Sequence, residues 1–309
     1  MTASYDVLGL GCVAIDDLLY VSAYPAADEK MQVRRRERHC GGLTATAMVA
    51  AARLGSRCAY AGVLGDDELS RCVLERFRQE GIETRYVRCR PEARPVHATI
   101  IVDQSQNTRT ILYDLEGAVG ADPDWPEEEL IRAAGVLFVD NIGVEGMIRA
   151  ARLARRAGIP VVADLENGEH PRFGELLALV DHLILSRDFA GKLTGQADPA
   201  AAVRALWAPQ RKTVAVTCGA AGCWYADAGR AAEPCLQPAF PVEVVDTTGC
   251  GDVFHGAYAS GLARGLDTAD RIRFASASAA LKATRPGGQA GIPTRPAVET
   301  FLDQQGGTG

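Results

Sequence analysis

Val244-Val245-Asp246-Thr247-Thr248-Gly249-Cys250-Gly251-Asp252-Val253-Phe254-His255-Gly256 decides how the chain is read. The β-branched run over 241–245 predicts a short strand, the glycines a tight turn, and Phe254, Ala257, Tyr258 and Leu262 recur at helical spacing. A strand, glycine turn and helix in that order leave consecutive backbone N–H groups bare at a helix N-terminus, where the macrodipole favours negative charge. Gly249, Cys250 and Gly251 therefore read as an anion cradle. Asp252 stands in the first helical turn, where its carboxylate can take a proton from a hydroxyl held beside the cradle. A base beside an anion hole points to phosphoryl transfer to an alcohol; the plain alternative is an acid that only caps the helix.

At 309 residues the chain suits one large α/β domain, read here as residues 1–309, with a tail over 304–309. Its formal charge of −6 argues against nucleic acid or an anionic membrane as the main partner. The start lacks a basic and then apolar leader, and no apolar run nears the length of a bilayer span, so a cytoplasmic enzyme is the expectation. Nine cysteines without a Cys-x-x-Cys pair fit reduced thiols and give no zinc spacing. Cys250 is the one thiol at the proposed site; a helix N-terminus can lower a thiol pKa, but a small packing residue is the favoured reading.

Earlier in the chain, residues 6–13 form an apolar run that reads as a strand interrupted by Gly9 and Gly11, followed by Asp16 and Asp17. Acids past a strand end lie where ligands bind in α/β sheets, with a solvated turn as the alternative. Residues 20–39 turn polar, with Asp28, Lys30 and the arginines 34–36 and 38, and read mostly as a solvated edge, with a β lid whose arginines meet an anionic substrate as the competing reading. Gly41 and Gly42 lead through Thr46 into an alanine-rich helix closed by Gly55. Residues 58–63 read as a strand and 68–80 as an amphipathic helix with Leu69, Val73 and Phe77 on one face. Residues 96–102 and 108–113 read as a hairpin around a polar loop at 103–107.

From Gly135 on, apolar runs at 136–139, 160–163, 182–185 and 213–217 alternate with helical patterns, the spacing of a parallel sheet with helical crossovers. Asp140, Asp164 and Glu166 end two of these runs, so carboxylates collect at one sheet edge and suit Mg2+ held with nucleotide phosphates; capping acids are the other reading. Thr217, Gly219 and Gly222 form a turn ahead of a second hairpin, 223–226 with 231–236. Residues 267–283 read as a helix faced with small residues, 285–293 as a glycine-rich loop holding Gly288, and 295–303 as the last helix.

Asp-Thr-Thr-Gly-Cys-Gly-Asp at 246–252 resembles the C-terminal signature of the ribokinase-like (PfkB) carbohydrate kinases, with Cys250 where an alanine is usual. The Gly41-Gly42 turn is similar to the N-terminal signature of the same family, though Leu43 and Thr46 stand where polar residues are usual. The likeness spans residues 5–303. It lies nearest the sulfofructose-kinase-like and ketohexokinase-like members through 247–256 and Thr284-Arg285-Pro286-Gly287-Gly288-Gln289-Ala290-Gly291-Ile292-Pro293.

The resemblance implies a doubly wound, mostly parallel α/β sheet with a small β lid at about 18–39 and 96–115, and a homodimer joined through lid strands. It implies ATP, Mg2+ and a monovalent cation such as K+ as ligands, with no nucleic-acid or membrane partner. Sugar binding is implied for Asp16, Asp28, Gly41, Gly42, Thr46, Arg109 and Asp140. Nucleotide binding is implied for Ser186, Thr217, Gly219, Gly222 and Gly288, and metal binding for Asp164, Glu166 and Asp246. The usual Asn-x-x-Glu magnesium motif is replaced by Ser186-Arg187-Asp188-Phe189, and Ile142 stands where sulfofructose kinases carry an arginine. The activity implied is transfer of the ATP γ-phosphoryl group to the primary hydroxyl of a ketose, 6-deoxy-6-sulfofructose first and fructose next. A nucleoside kinase and a non-catalytic sugar or nucleotide sensor are the competing readings.

Overall fold

Eight strands form one sheet whose two faces are both buried, and that double burial explains the unbroken apolar runs. The computed structural model describes residues 3–106, 108–230 and 233–306. The chain opens with β1 (Tyr5–Gly9), β2 (Ala14–Val21), β3 (Arg35–Gly41) and α1 (Leu43–Arg53). Then come β4 (Cys58–Tyr60), β5 (Val63–Leu64), α2 (Glu68–Gln79), β6 (Arg88–Cys89) and the hairpin β7 (Val96–Asp103) and β8 (Thr108–Asp114). The alternating half runs α3 (Glu128–Arg132), β9 (Ala134–Val139), α4 (Val144–Ala157), β10 (Val161–Asp164), α5 (Phe173–Leu179) and β11 (His182–Ser186). It continues through α6 (Arg187–Thr194), α7 (Pro199–Leu206), β12 (Thr213–Thr217), β13 (Cys223–Asp227) and β14 (Cys235–Gln237) to α8 (Cys250–Ala263), α9 (Thr268–Ala283) and α10 (Arg295–Gly306).

The large sheet has the order β14-β13-β12-β11-β10-β9-β1-β4, parallel from β4 to β12 and closed by the antiparallel pair β13 and β14. Strand side chains alternate between two cores, as the period of two requires. Val7, Phe138, Val162, Ile184 and Ala215 pack with α1, α2, α8 and α9 on one face. Leu8, Leu137, Val161, Leu183 and Val214 pack with α4, α5, α6 and α7 on the other. Each fully buried side chain of this kind contributes roughly 1.5–3 kcal/mol. Helix ends follow local chemistry: Asp67, Asp198 and Asp267 accept from backbone N–H groups at three starts. Gly158 and Gly195, both with positive φ, close α4 and α6.

A second sheet, β3-β2-β7-β8, stands apart from the first. It corrects one expectation and fills in another. Residues 6–13 are not one strand: β1 ends at Gly9, and Gly11, at φ +138, turns the chain out into β2. Gly11 is required there because an added Cβ would meet the Asp140 carboxylate at 2.4 Å. The solvated edge expected over 20–39 holds for most of the run: 22–34 is largely exposed outside strands, and Arg35–Gly41 is the edge strand of the small sheet, paired along β2. The charges of that segment are spent across the strands: Arg38 bridges Asp17 and Glu68, and Arg35 stacks 3.9 Å over the Tyr20 ring.

Three smaller differences remain. The run 58–63 is split into β4 and β5. Residues 241–245 form no strand: Val242 and Val244 line a cavity rather than a partner strand, and Val244 and Val245 are 60% and 59% exposed. The tail is helical through 306, while 307–309, like Met1, Thr2, Asn107 of the hairpin loop, and 231–232 of the second hairpin, lie outside the described residues.

Candidate active site

The parallel strands deliver their carboxyl ends to one edge, and α8 begins over it. Gly249 caps α8 at φ +75, ψ 6, a left-handed conformation that favours glycine. Thr248 N donates to Asp246 Oδ1 at 2.8 Å and Cys250 N to Thr247 O at 3.2 Å. Among the described residues no acceptor meets the N–H groups of Gly249, Gly251 or Asp252. A Cβ at Gly251 would touch nothing within 4 Å, so the turn is open on that side. These are the unpaired donors of a helix start, aimed where an anion can lie.

Asp252 is half-buried in the first turn of α8. Burial first, and then the nearby Asp164 and Glu166 carboxylates, push its pKa well above the ordinary carboxylate range, while His255 opposes the shift. A carboxylate so destabilised is a stronger proton acceptor than an exposed one. Cys250 follows the plainer reading: burial raises its thiol pKa, aided by Asp246 and Asp252 and opposed by Lys282, so it is a small packing residue rather than an activated thiol.

Below the turn lies a cavity of about 700 Å3. Ser186, Thr217, Gly219 and Gly222 line it as expected, and Thr247, Cys250 and Gly251 border it from the α8 side. Gly288 packs instead on the turn itself, its Cα 3.4 Å from where a Cβ of residue 249 would sit. Sequence reasoning missed two walls. Phe240, Val242 and Val244 form one, the two valines having passed for part of a strand; Ala279, Ala280 and Ala283 of α9 form the other. The signal for the second was the small-residue face of 267–283, whose short side chains leave room for a flat apolar ligand.

On the far side of the turn, the small sheet presents Asp16. Its carboxylate meets no hydrogen-bond partner among the described residues, and burial raises its pKa against the pull of His39. Asp17, one residue on, is occupied: Arg38 donates to it at 2.7 Å and His97 lies at 2.8 Å, which holds its pKa down to about 2. Gly41 faces Asp16, where an added Cβ would come within 2.7 Å of Oδ2, and Gly42, at φ +96, packs on the backbone of Cys12 and Val13. Arg109 reaches from β8 to donate to Thr248 Oγ1, tying the small sheet to the anion turn.

Three expected sugar contacts are placed elsewhere. Asp140 is fully buried and accepts from Cys12 N at 2.6 Å, Thr44 Oγ1 at 2.7 Å and Ile142 N at 2.8 Å; it braces β1, β9 and α1, and burial lifts its pKa to about 6. Thr46 is buried under the turn, where Gln289 donates to its hydroxyl. Asp28 sits in an exposed turn at φ +62 and makes no hydrogen bond or ion pair with another described site residue.

The metal candidates divide. Among the described residues no three His, Cys, Asp or Glu side chains form a ready-made metal cluster. Asp164 Oδ2 is nevertheless buried and orphaned: His255 Nδ1 lies 3.2 Å away but bonds Gly251 O at 2.8 Å. With exposed Glu166 beside it, that oxygen fits a hydrated Mg2+ brought in by a nucleotide. Asp246 does not fit, because Thr248 N, Gly287 N and the buried Lys282 take up its oxygens. The same residues leave no ready place for a monovalent cation in that turn. Lys282 went unnoticed in the sequence; its only signal was a lysine on an otherwise small-residue helix face.

An anion turn with a neighbouring carboxylate, a hollow apolar cavity on one side and a free acid on the other define a phosphotransferase with an alcohol acceptor. The pfkB family carbohydrate kinase model matches residues 10–295, and the chain belongs to that family. It is 29% identical over 306 residues to a ribokinase of Haemophilus influenzae, covering 95% of this chain and 97% of the relative. It is 27% identical over 291 residues to fructokinase-1 of Zea mays, covering 85% and 88%. The structure of Arabidopsis thaliana ribokinase complexed with ribose and ATP superposes with a TM-score of 0.86 at 25% identity, over 98% of this chain and 99% of that one. Among the described residues no helix is long and apolar enough to cross a membrane.

Proposed function

We propose that the chain transfers the γ-phosphoryl group of ATP to the primary hydroxyl of a ketose-type sugar, with Asp252 as the base. The observation that carries this is the row of open N–H groups at Gly249, Gly251 and Asp252 between the cavity and Asp16. Adenine and ribose fill the cavity between the 239–244 wall and α9, with Thr217, Gly219 and Gly222 at its mouth. Asp16 and the Gly41-Gly42 turn orient the sugar. As the acceptor oxygen bonds to γ-phosphorus and the bond to the bridging β-oxygen breaks, the hydroxyl proton passes to Asp252 and the N–H row stabilises the equatorial charge. Mg2+, near Asp164 and Glu166, would neutralise phosphate charge.

An exposed Arg109 guanidinium beside Thr248 is the feature that supports 6-deoxy-6-sulfofructose over the neutral ketoses, although residue 142 is Ile. The printed names of the relatives supply ribose and fructose as the competing acceptors. Nine free thiols agree with a cytoplasmic site of action. Ile111, Leu112 and Tyr113 of β8 and neighbouring Leu115, each about half exposed or more at the edge of the small sheet, support pairing of two copies there, with that sheet acting as the lid. ADP release measured with sulfofructose, fructose, tagatose phosphate, ribose and adenosine tests the reading. Release with a ketose is expected; release with adenosine alone, or with none, would overturn it.

A further inference from the structure

The turn that carries the N–H row is built around cations of the chain's own. Lys282, in the last turn of α9, is fully buried; its Nζ donates to Asp246 O at 2.8 Å and lies 3.9 Å from Asp246 Oδ2. The other acceptors of Asp246 are engaged: Oδ1 by Thr248 N and Oδ2 by Gly287 N, each at 2.8 Å. Val245 N and Asp246 N donate to Ala283 O, so the end of α9 and the turn move as one unit. Across the glycine-rich loop, Arg53 Nη1 meets the carbonyl oxygens of Gln289, Ala290 and Ile292 at 3.0, 3.4 and 3.0 Å. Glu80 fixes that guanidinium through two bonds of 2.9 and 2.8 Å.

A bound monovalent cation needs several oxygens free to converge on it, as hard cations do generally. Here Asp246 O faces the Lys282 ammonium and the carbonyls of Gln289, Ala290 and Ile292 face the Arg53 guanidinium, while both Asp246 carboxylate oxygens are taken by backbone N–H groups. We infer that Lys282, with Arg53 across the loop, takes the place of a diffusible monovalent cation, so that the anion-binding turn is held by covalently attached charge and works without potassium. The inference rests on the proposed phosphate-holding role of that turn. A buried ammonium is costly unless bonded and paired, and Asp246 supplies both. Burial lowers the Lys282 pKa, and the Cys250 and Asp246 side chains oppose that shift. The charge acts on the turn through Asp246 and through space, which makes Lys282 a positioning residue.

The test compares KCl with tetramethylammonium chloride at equal ionic strength, about 0.1 M, where screening is the same. Three quantities are read: the melting temperature of the nucleotide-free protein, ADP–Mg2+ affinity by calorimetry, and turnover. Wild type is expected to be indifferent to the exchange, within about twofold in affinity and turnover. Lys282→Ala is expected to lose about tenfold in affinity or turnover in tetramethylammonium and to regain part of it, with a raised melting temperature, in K+ or methylammonium. Activation of the wild type several-fold by K+ would overturn the inference. So would a folded Lys282→Ala that is unimpaired, or impaired yet rescued by no small cation. Should the variant fail to fold, the wild-type series decides alone. The nucleotide-free melting temperature reads the cation site without reference to catalysis, so absence of kinase activity in every salt would count against the proposed function and not against this inference.

Discussion

Asp252→Asn separates a catalytic role from a structural one because the two predict opposite signs. The change is isosteric and removes one negative charge from a neighbourhood that holds Asp164, Glu166 and Asp140. The folded protein holds the Asp252 proton more tightly than the unfolded chain, so stability falls as pH rises from the unfolded pKa towards the raised folded one. The ionised carboxylate is therefore a net burden on the fold, and its removal should leave the melting temperature unchanged or higher. Turnover should behave differently. Loss of a positioned base is worth about 10²–10⁴ in rate, or roughly 3–5 kcal/mol of transition-state stabilisation. The assay is steady-state ADP release with the best sugar, beside ADP calorimetry and a thermal melt of the same samples. Turnover near that of wild type would refute the role of base. A large fall in melting temperature with loss of ADP binding would show that Asp252 serves the fold.

Other outcomes follow from the same geometry. Turnover of the wild type should fall as pH drops through the raised Asp252 pKa, because protonation removes the acceptor, and a flat acid limb in kcat would contradict it. Ala280→Leu, which intrudes on the α9 wall of the cavity, should raise the KM for ATP about tenfold or more while the melting temperature holds within a few degrees. Asp16→Asn should raise the KM for sugar with little change in ADP affinity, and equal losses on both would remove Asp16 from the acceptor side. The Asp17 pair with Arg38 and His97 stabilises the small sheet above the unfolded pKa of 3.8 and loses that contribution between about pH 4 and 2; Asp17→Asn should flatten this part of the acid-denaturation curve.

The parallel strands were legible because burial on both faces makes each one a short apolar run bounded by turn residues, and 213–217 matches β12 residue for residue. The small sheet was only half legible. Its hairpin could be read from two β-branched runs around a polar loop, but β2 follows β1 without a polar break, and only Gly11 marks the corner where the chain leaves one sheet for the other. Residues 241–245 misled for the opposite reason: β-branched side chains suit a strand, yet here they serve a cavity wall with no neighbour to pair. Within the site, the glycine turns, Asp16 and Asp252 could be found because their spacing carries their geometry. Asp140 could not be told from Asp16, since whether an acid at a strand end faces ligand or braces backbone depends on Cys12, Thr44 and Ile142, residues brought to it by the fold. Lys282 was hidden likewise, its partner Asp246 lying 36 positions away in the sequence.

A crystal structure of the protein with ADP, Mg2+, a planar phosphoryl mimic and the best sugar would test the central claim most directly. The account predicts the mimic within hydrogen-bond distance of the N–H groups of Gly249, Gly251 and Asp252, and the sugar's primary hydroxyl on the Asp252 carboxylate. A mimic bound away from that row, or a hydroxyl directed to any other base, would contradict it.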